Sequence, residues 1–154
     1  MIRTVQAQTS QHFEYIRRLF LQYSDLLGFD LEFQNFNQEL ATLPGEYAQP
    51  KGSLLLGEDS GHRAGCVALR GIEDFICEMK RLYVIPQYRG QGVGRILAGA
   101  VIGEAREKGY KIMRLDTIET MKEARALYSS LGFYAIEPYR FNPVDGASYM
   151  ELVL

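Results

Sequence analysis

The chain has 154 residues, of which 47% are hydrophobic and 23% are charged. Such a length allows one sizeable core, and the near-average composition argues against disordered, collagen-like and coiled-coil proteins. Lys and Arg total 17 against 19 Asp and Glu, and the net charge of -2 disfavours a nucleic-acid-binding protein. We therefore predict a single packed domain over residues 1–154.

The first half of the chain is predicted to form a strand, two helices and an antiparallel meander. Apolar residues spaced three and four apart indicate an amphipathic helix, which Thr9 or Ser10 caps and Gly28 ends. A weaker pattern fits a second short helix that stops at Pro44. Alternation of apolar and polar residues predicts strands at 2–5, 53–57, 64–69 and 75–84.

The second half of the chain is predicted to alternate strands with helices. Pro86 ends the preceding strand, and a helix that follows the glycine-rich stretch stops at Gly109. Thr120 and Glu123 have the spacing of a capping box, which predicts a helix that Gly132 closes. The remaining strands are predicted at 110–116, 133–136 and 148–154.

The N-terminal segment lacks the apolar centre of a secretory signal, and no apolar stretch approaches the roughly 18 residues that span a bilayer. We therefore expect a cytoplasmic protein with no membrane partner. Cys66 and Cys77 are then expected to be reduced and packed in the core. Only His12 and His62 accompany them, both expected at the surface, so no metal site is predicted.

The segment RGQGVG, residues 89–94, lies between a predicted strand and a predicted helix. Its glycines would let backbone N–H groups approach a ligand, and a helix N-terminus adds unpaired donors and a partial positive charge. This combination favours phosphate binding, although tight turns use such glycines too. The flanking Arg89 and Arg95 strengthen the phosphate interpretation and leave contact with a nucleic-acid backbone as an alternative.

The spacing of these glycines excludes two common phosphate sites. A P-loop needs Lys and then Ser or Thr after its last glycine, whereas Gly94 is followed by Arg95. A dinucleotide fingerprint needs a different spacing and an acid about twenty residues on, and Asp116 comes late. What remains is Arg89, two residues, Gly92, one residue and Gly94, directly after the strand EMKRLYV.

This pattern resembles the acetyl-CoA motif of the GCN5-related N-acetyltransferase (GNAT) superfamily. The resemblance runs from about Cys77 to Tyr139 and rests on three linked segments, EMKRLYVIPQYRGQGVG, MRLDT and EARALYSSLGF. The closing segment PYRFNPVDGASYMELVL is similar to that of a bacterial subgroup with undefined acceptors. The resemblance implies an α/β fold with a mixed, mostly antiparallel sheet of roughly six or seven strands and helices on both faces. It also implies a V-shaped splay between the strands ending near Val84 and Asp116.

The resemblance further implies that acetyl-CoA is the co-substrate and lies in this splay. Backbone groups of Leu82, Tyr83 and Val84 would pair with the pantetheine amides, and the N–H groups of 91–95 would hold the pyrophosphate. Leu82 and Val84 can also pack in the core, since only their backbones are needed. The implied cofactor-binding residues are Leu82, Tyr83, Val84, Arg89, Gly90, Gln91, Gly92, Val93, Gly94, Arg95, Asp116, Thr117, Ala124 and Tyr128.

Acetyl transfer from a thioester to an amine needs a base, a donor to the oxyanion and an acid for the departing thiolate. The resemblance implies that Tyr128 is the acid, and a half-buried helix tyrosine without a catalytic role is the alternative. It also implies that an N–H near Val84, where the family carries a β-bulge, meets the oxyanion.

Glu78 is the favoured base, because it corresponds to a position where many relatives place an acid that deprotonates the amine through water. It could equally be a surface partner of Lys80 or Arg114, since strand residues alternate between the two faces. Asp116 is a rival at the mouth of the splay, although helix capping or loop fixing suits it and Thr117 as well.

The resemblance therefore implies direct acetyl transfer to a primary amine of a small molecule, an amino acid or a protein, by a monomer or homodimer. Neither cysteine has a recognisable nucleophile setting, so no covalent enzyme intermediate is expected. A non-catalytic acyl-CoA-binding module is the alternative. Acceptor specificity is expected from 23–47 and 139–145, whose aromatic residues either line a pocket or cover the sheet. The candidates are Tyr23, Phe29, Phe33, Phe36, Tyr139 and Phe141, with Asp25, Asp30 or Glu32 facing a cationic amine.

Overall fold

The computed structural model describes the backbone of residues 1–154 and every side chain except that of Phe33. The described chain forms one seven-stranded sheet with α-helices on both faces, as predicted. The strands are β1 Ile2–Gln6, β2 Ser53–Asp59, β3 His62–Glu73, β4 Ile76–Val84, β5 Ile112–Ile118, β6 Tyr134–Ile136 and β7 Ala147–Val153. The helices are α1 Ser10–Leu27, α2 Phe36–Ala41, α3 Val93–Glu107 and α4 Lys122–Ser130. Single 3-10 turns lie at Glu32–Gln34, Gly45–Tyr47 and Pro86–Tyr88.

Local signals at both ends of α1 explain its length. The Thr9 side chain accepts a hydrogen bond from the His12 N–H at 3.1 Å, while the Thr9 N–H donates to Nδ1 of His12 at 3.4 Å. This is a capping box in which a histidine takes the usual place of Glu or Gln. The helix ends at Gly28, whose φ of 76° is the left-handed conformation that glycine adopts without strain. The predicted bounds of this helix are therefore confirmed.

The order of the strands, β1-β2-β3-β4-β5-β7-β6, is antiparallel except between β4 and β5. These two parallel strands pair from Ile76 with Ile112 to Glu78 with Arg114. Beyond Glu78 and Arg114, β4 and β5 no longer pair with each other among the described residues. Strand β4 continues along β3 as far as Val84, and β5 continues along β7 as far as Ile118. The predicted splay between them is confirmed, and it leaves one edge of β4 open.

A β-bulge interrupts β4 within this open edge. Lys80 pairs with Ala68 and Tyr83 pairs with Cys66, so two residues of β4 lie opposite one residue of β3. The first of the two, Arg81, has a φ of 59°. The bulge therefore lies at Arg81 and not near Val84, where it was expected. It keeps Lys80 and Tyr83 on one face of the sheet although they are three residues apart.

Two apolar layers cover the faces of the sheet. One layer packs α3 and α4 against the sheet and contains Cys77, and the other packs α1 and α2 against it and contains Cys66. Both cysteines are fully buried and free, so their predicted place in the core is confirmed. Among the described residues, no helix combines the length and the apolar character that crossing a membrane requires.

Several predicted boundaries are wrong. Strand β3 covers His62–Glu73 instead of 64–69, and local turn contacts shift two others. Strand β5 begins at Ile112 because Tyr110 still bonds back to the end of α3, through its N–H to the Ala105 carbonyl at 3.1 Å. Helix α4 has Met121 as its N-cap and lacks a side-chain capping bond, so Thr120 and Glu123 form no capping box. The Met121 N–H closes a turn onto the Ile118 carbonyl at 3.0 Å, which places Thr120 one residue too early to cap the helix.

Candidate active site

An open cleft of about 580 Å³ lies where β4 separates from β5. It runs along the end of β4 to the N-terminus of α3, and the start of α4 forms its other wall. Of the predicted cofactor-binding residues, those lining the cleft are Leu82, Tyr83, Val84, Arg89, Gly90, Gly92, Val93, Gly94 and Ala124. The side chains of Gln91 and Arg95 are engaged elsewhere, with the Gln87 carbonyl at 3.1 Å and the Ser130 hydroxyl at 2.6 Å.

The glycine loop presents the N-terminus of α3 to this cleft. Gly90 and Gly92 have φ values of 78° and 82°, which favour glycine, and Gly92 is the N-cap residue of α3. No side chain caps the helix, so the first N–H groups, including those of Val93 and Gly94, have no helical partner. A Cβ added at Gly90 or Gly92 would meet no protein atom within 4 Å. The open loop and its donors therefore suit a diphosphate.

Arg89 joins the loop to the open strand edge. Its Nε donates to the Val84 carbonyl at 3.0 Å, and its guanidinium carbon lies 5.6 Å from the centre of the Tyr83 ring. The carbonyl of Val84 is thus occupied by a side chain. The Tyr83 carbonyl points toward Gly65 of β3, so the backbone groups of Leu82 are better placed to pair with a ligand.

A smaller pocket, with a free volume of about 40 Å³, lies deeper between β4, β5 and the end of α1. Leu82 and Met121 line both the cleft and this pocket, so the two spaces adjoin. Three residues predicted to bind the cofactor, Asp116, Thr117 and Tyr128, line the deeper pocket instead of the cleft. The predicted residues therefore form two groups that meet at Leu82.

Tyr128 reaches the deeper pocket from the buried face of α4 and is 8% exposed. Its ring packs against Phe133 with the ring centres 5.7 Å apart. Burial, followed by the nearby Tyr23 and Asp116, raises the pKa of the Tyr128 phenol well above its ordinary value. The hydroxyl therefore remains protonated at neutral pH and can act as a hydrogen-bond or proton donor.

Glu78 is fully buried, so the expectation of a surface residue is wrong. Its carboxylate accepts from Arg70 Nε at 2.8 Å and from the Tyr139 hydroxyl at 2.5 Å, and it lies 3.0 Å from Arg140 Nη1. The alternative partner Lys80 is 3.9 Å away, and Arg114 pairs with Glu151 at 3.0 Å instead. These contacts arise because cross-strand pairing places Arg70 beside Glu78 while the loop 137–146 covers both.

The comparisons with known proteins bear directly on this site. The model of the acetyltransferase (GNAT) family matches residues 13–133. The chain belongs to the GNAT acetyltransferase family. It is also 40% identical over 144 residues to an uncharacterized N-acetyltransferase of Schizosaccharomyces pombe, covering 92% of this chain and 88% of the relative. Because this relative is eukaryotic, the expected bacterial subgroup stays a prediction.

Solved structures share the fold of this GNAT chain. A GNAT acetyltransferase of Staphylococcus aureus superimposes with a TM-score of 0.81 at 20% identity, and 98% of each chain is covered. The yncA protein of Salmonella typhimurium, solved with its cofactor acetyl-CoA, has a TM-score of 0.70 at 19% identity over 99% of this chain and 93% of its own. At these identities the likeness establishes the shared fold.

Asp116 fixes a loop in this GNAT chain, which was one of its two expected alternative roles. Its carboxylate lies 3.0 Å from Arg140 Nη2 and accepts from Asn142 Nδ2 at 3.3 Å. Both partners lie in the loop 137–146 between β6 and β7. The same carboxylate lines the deeper pocket together with Thr117, which is 8% exposed.

The aromatic residues predicted near the acceptor divide between pocket and cover. Tyr23 and Phe29 line the deeper pocket, whereas Phe36 is buried in the core and Phe141 is 78% exposed. The side chain of Phe33 lies outside the described residues. The acids cap backbone turns rather than face a cation: Asp30 accepts from the Glu32 N–H, and Glu32 from the Asn37 N–H, both at 2.9 Å.

Sequence reasoning gave no site role to two basic residues beside Glu78, Lys80 and Arg140. Lys80 lines the deeper pocket and is 8% exposed, and its Nζ donates to Gln34 Oε1 at 2.8 Å. A signal for Lys80 was available, because it follows Glu78 at the strand period of two. No signal identified Arg140, whose role depends on how the loop 137–146 folds back over the sheet.

Among the described residues, no group of three His, Cys, Asp or Glu side chains could hold a metal ion. Burial raises the pKa of Cys77 to about 12 and raises that of Cys66 further. Both thiols are therefore protonated at neutral pH. A thiol in this state is a poor nucleophile, so these cysteines do not suit covalent catalysis.

Proposed function

We propose that residues 1–154 act as one cytoplasmic, acetyl-CoA-dependent N-acetyltransferase domain that acetylates a primary amine directly. The observation that carries this proposal is the open edge of β4 beside the uncapped N-terminus of α3, in a single cleft. A strand edge suits the amides of a pantetheine arm, and a helix N-terminus suits a diphosphate. Membership of the GNAT family and the acetyl-CoA found with the Salmonella relative support this assignment.

The cofactor would be held mainly by backbone groups. The N–H groups of residues 91–95 would bind the pyrophosphate, and backbone groups of Leu82 and the N–H of Val84 would pair with the pantetheine. Ala124 and Gly94 line opposite sides of the cleft, where small residues leave space for the arm. Bound acetyl-CoA would supply an acetyl group that is activated as a thioester.

Tyr128 is proposed as the acid. As the acceptor nitrogen bonds to the acetyl carbon, the carbon–sulfur bond breaks, and the departing sulfur takes a proton from the Tyr128 hydroxyl. The amine loses one proton to a base, so no acyl-enzyme is needed to balance the reaction. The neutral phenol that burial maintains is the form required of this acid.

Two carboxylates are candidates for the base. Glu78 occupies the position that the family resemblance favours, but two arginines and Tyr139 already engage it. Asp116 lines the same pocket as Tyr128 and is engaged by Arg140 and Asn142. Glu78→Gln and Asp116→Asn should therefore be compared by the pH dependence of kcat, because the base determines its acidic limb.

The test of the proposed function combines binding with turnover. Acetyl-CoA should bind by calorimetry, and CoA should be released when primary amines are added. Duplex DNA titrated at two salt concentrations should show no salt-dependent binding. Binding of acetyl-CoA without release of CoA by any amine would indicate a non-catalytic acyl-CoA-binding module.

Direct transfer of the acetyl group to the amine requires no cysteine nucleophile. Replacing Cys66 and Cys77 by Ala should leave turnover detectable, since both thiols are buried and protonated. Each substitution removes a buried sulfur and is expected to cost stability on the order of 1 kcal/mol. CoA release by the folded double variant is the measurement, and complete loss of activity in a folded variant would point to a covalent route.

A further inference from the structure

The deeper pocket contains a buried cation, Lys80, whose closest contact is a neutral amide and whose ion pair is a long one. Lys80 Nζ donates to the neutral amide of Gln34 at 2.8 Å, and the nearest carboxylate, that of Glu78, is 3.9 Å away. Its side chain is 6% exposed. Burying an ammonium group is costly unless an anion pairs closely with it, so this long ion pair favours the arrival of a nearer negative group.

The carboxylates around Lys80 are already held by arginines. Glu39 accepts two bonds from Arg81, both at 2.9 Å. Glu78 lies between Arg70 and Arg140. Each of these arginines has a carboxylate oxygen within 3.0 Å, whereas the nearest one to Lys80 Nζ is 3.9 Å away.

Burial and the neighbouring positive charges change the pKa of Lys80. Burial first, and then the charge of Arg81, lowers the pKa of Lys80 to about 7, with smaller contributions in the same direction from Arg140 and Arg70. The negative charge of Glu78 raises the pKa of Lys80, but the other contributions together lower it by more. An anion beside Nζ would reverse this effect and restore the ammonium form.

The rest of the pocket has the polarity of a small dipolar molecule. Gln34 and Arg81 lie with Lys80 in its lining, whereas Asp116 and Tyr128 supply a carboxylate and a phenol. A molecule with an ammonium group and a carboxylate can match both kinds of group at once. The free volume of about 40 Å³ suits a group of a few atoms, such as a carboxylate, rather than a bulky side chain.

We propose that the acceptor is a small amino acid, whose carboxylate pairs with Lys80 while its amine faces the acetyl group near Tyr128. This inference rests on the proposed function and specifies its substrate class. Lys80 acts as a positioning residue that recognises the acceptor, and it takes no part in the transfer of the acetyl group. A protein amine, which carries no adjacent carboxylate, would not satisfy Lys80.

The test compares each amino acid with its own carboxamide as acceptor. The two differ in the charge that Lys80 is proposed to recognise, and CoA release gives kcat and KM for each. The wild-type protein should prefer the free acid by about tenfold or more in kcat/KM, because the carboxamide leaves the buried ammonium unpaired. Lys80→Met should remove this preference, mainly by raising KM for the acid.

Lys108→Met is the matched control. Lys108 also donates to a glutamine, Gln49, at 2.6 Å, but this bond lies at the surface and outside both the cleft and the pocket. This variant should keep the preference for the free acid. Lys80→Arg should recover part of the preference, since it restores a cation at the same position.

A second measurement needs no variant. Calorimetry in two buffers of different ionisation enthalpy, with CoA present, should show more protons taken up near pH 8 for the free acid than for its carboxamide. The carboxylate should raise the pKa of Lys80 and draw a proton onto it. Equal proton uptake by the two acceptors would contradict pairing with Lys80.

The remaining outcomes separate this inference from the proposed function. If wild type acetylates carboxamides and acids equally, or if it acetylates peptide amines alone, the amino-acid assignment is overturned and the N-acetyltransferase activity stands. If Lys80→Met keeps the preference for the acid, another group recognises the carboxylate. If acetyl-CoA fails to bind, the proposed function and this inference both fall.

Discussion

At the scale of single residues, the active site depends on what each ionisable group is packed against. Tyr128 lies among apolar and aromatic neighbours that favour its neutral form, whereas the carboxylate of Glu78 lies between two guanidinium groups. Two residues that sequence reasoning treated as an acid and a base thus have opposite surroundings. Tyr128 is suited to give a proton, and Glu78 is suited to hold arginines in position.

Tyr128→Phe should lower kcat by about 100-fold, the usual scale of acid catalysis, while acetyl-CoA still binds. The change removes the hydroxyl and keeps the ring that packs on Phe133. Steady-state kinetics measures kcat, and calorimetry measures the binding of acetyl-CoA. Tyr134→Phe, which removes an exposed hydroxyl bonded to Glu151, is the control and should keep full activity. A Tyr128→Phe enzyme as fast as wild type from pH 6 to 10 would contradict the role as acid.

Lys80→Met should raise the free energy of unfolding at pH 6 to 7, and the gain should shrink as the pH rises. The pKa of Lys80 is about 7 in the folded chain and 10.5 ordinarily, so the unfolded chain binds more protons between these values. Wild-type stability therefore rises with pH across this window, and the penalty for burying Lys80 is complete below pH 7. Urea unfolding at several pH values measures the difference.

The control for this prediction is Lys108→Met, at a solvent-accessible lysine. Its effect on the free energy of unfolding should not vary with pH over the same range. A constant difference between Lys80→Met and wild type at every pH would show that Lys80 keeps an ordinary pKa in the folded protein.

At the scale of elements, the connection between β4 and α3 combines two backbone devices. The bulge at Arg81 positions the end of β4, and the left-handed Gly92 turns the chain so that α3 points its first N–H groups into the cleft. Gly94 has an ordinary helical conformation, and a Cβ there would lie 3.4 Å from Leu127. The two glycines of the motif therefore serve different purposes, conformation at Gly92 and space at Gly94.

Gly92→Val should weaken acetyl-CoA binding more than it weakens the fold. A side chain in the left-handed conformation costs on the order of 1–3 kcal/mol of stability, and this one would also stand where the pyrophosphate approaches. Gly109→Val is a matched control, since Gly109 has a φ of 88° at the other end of α3 and lies outside the cleft. It should destabilise the protein by a similar amount and leave the Kd unchanged.

Calorimetry gives the Kd of each variant for acetyl-CoA, and thermal unfolding gives its stability. Gly94→Ala is a useful third variant, because the helix tolerates it and the added methyl group narrows the cleft. If a folded Gly92→Val protein binds acetyl-CoA like wild type, the pyrophosphate site lies elsewhere.

At the scale of the whole molecule, the two faces of one open sheet carry different features. The α3 and α4 side borders the cleft proposed for the cofactor, and the α1 and α2 side carries the charged cluster around Glu78 and Lys80. The splay between β4 and β5 connects the two sides. A cofactor in the cleft would contact the end of β4, the N-terminus of α3 and the start of α4, and it should therefore stabilise the whole domain.

Acetyl-CoA at about 100 times its Kd should stabilise the folded state by about 2.7 kcal/mol. For a domain of this size, that corresponds to a rise in Tm of roughly 5–10 °C. Differential scanning fluorimetry measures the shift, and Gly92→Val should abolish it. A shift that persists in Gly92→Val, or that is absent in wild type at saturating ligand, would contradict the proposed cleft.

The sequence by itself determined the features that arise from neighbouring residues. Helix α1 with its Thr9 cap and Gly28 end, the meander of β2 to β4 and the glycine loop before α3 follow from periodicity, capping and the conformational freedom of glycine. These signals act over a few residues, so they can be identified along the chain.

Only the tertiary structure decided how the charges combine. The bond between Gln34 and Lys80 spans 46 positions, and that between Arg140 and Glu78 spans 62. The bulge at Arg81, the engagement of Glu78 and the desolvation of Lys80 all depend on such contacts. Burial and ion pairing are properties of the folded surroundings, and no local pattern encodes which distant side chain will complete them.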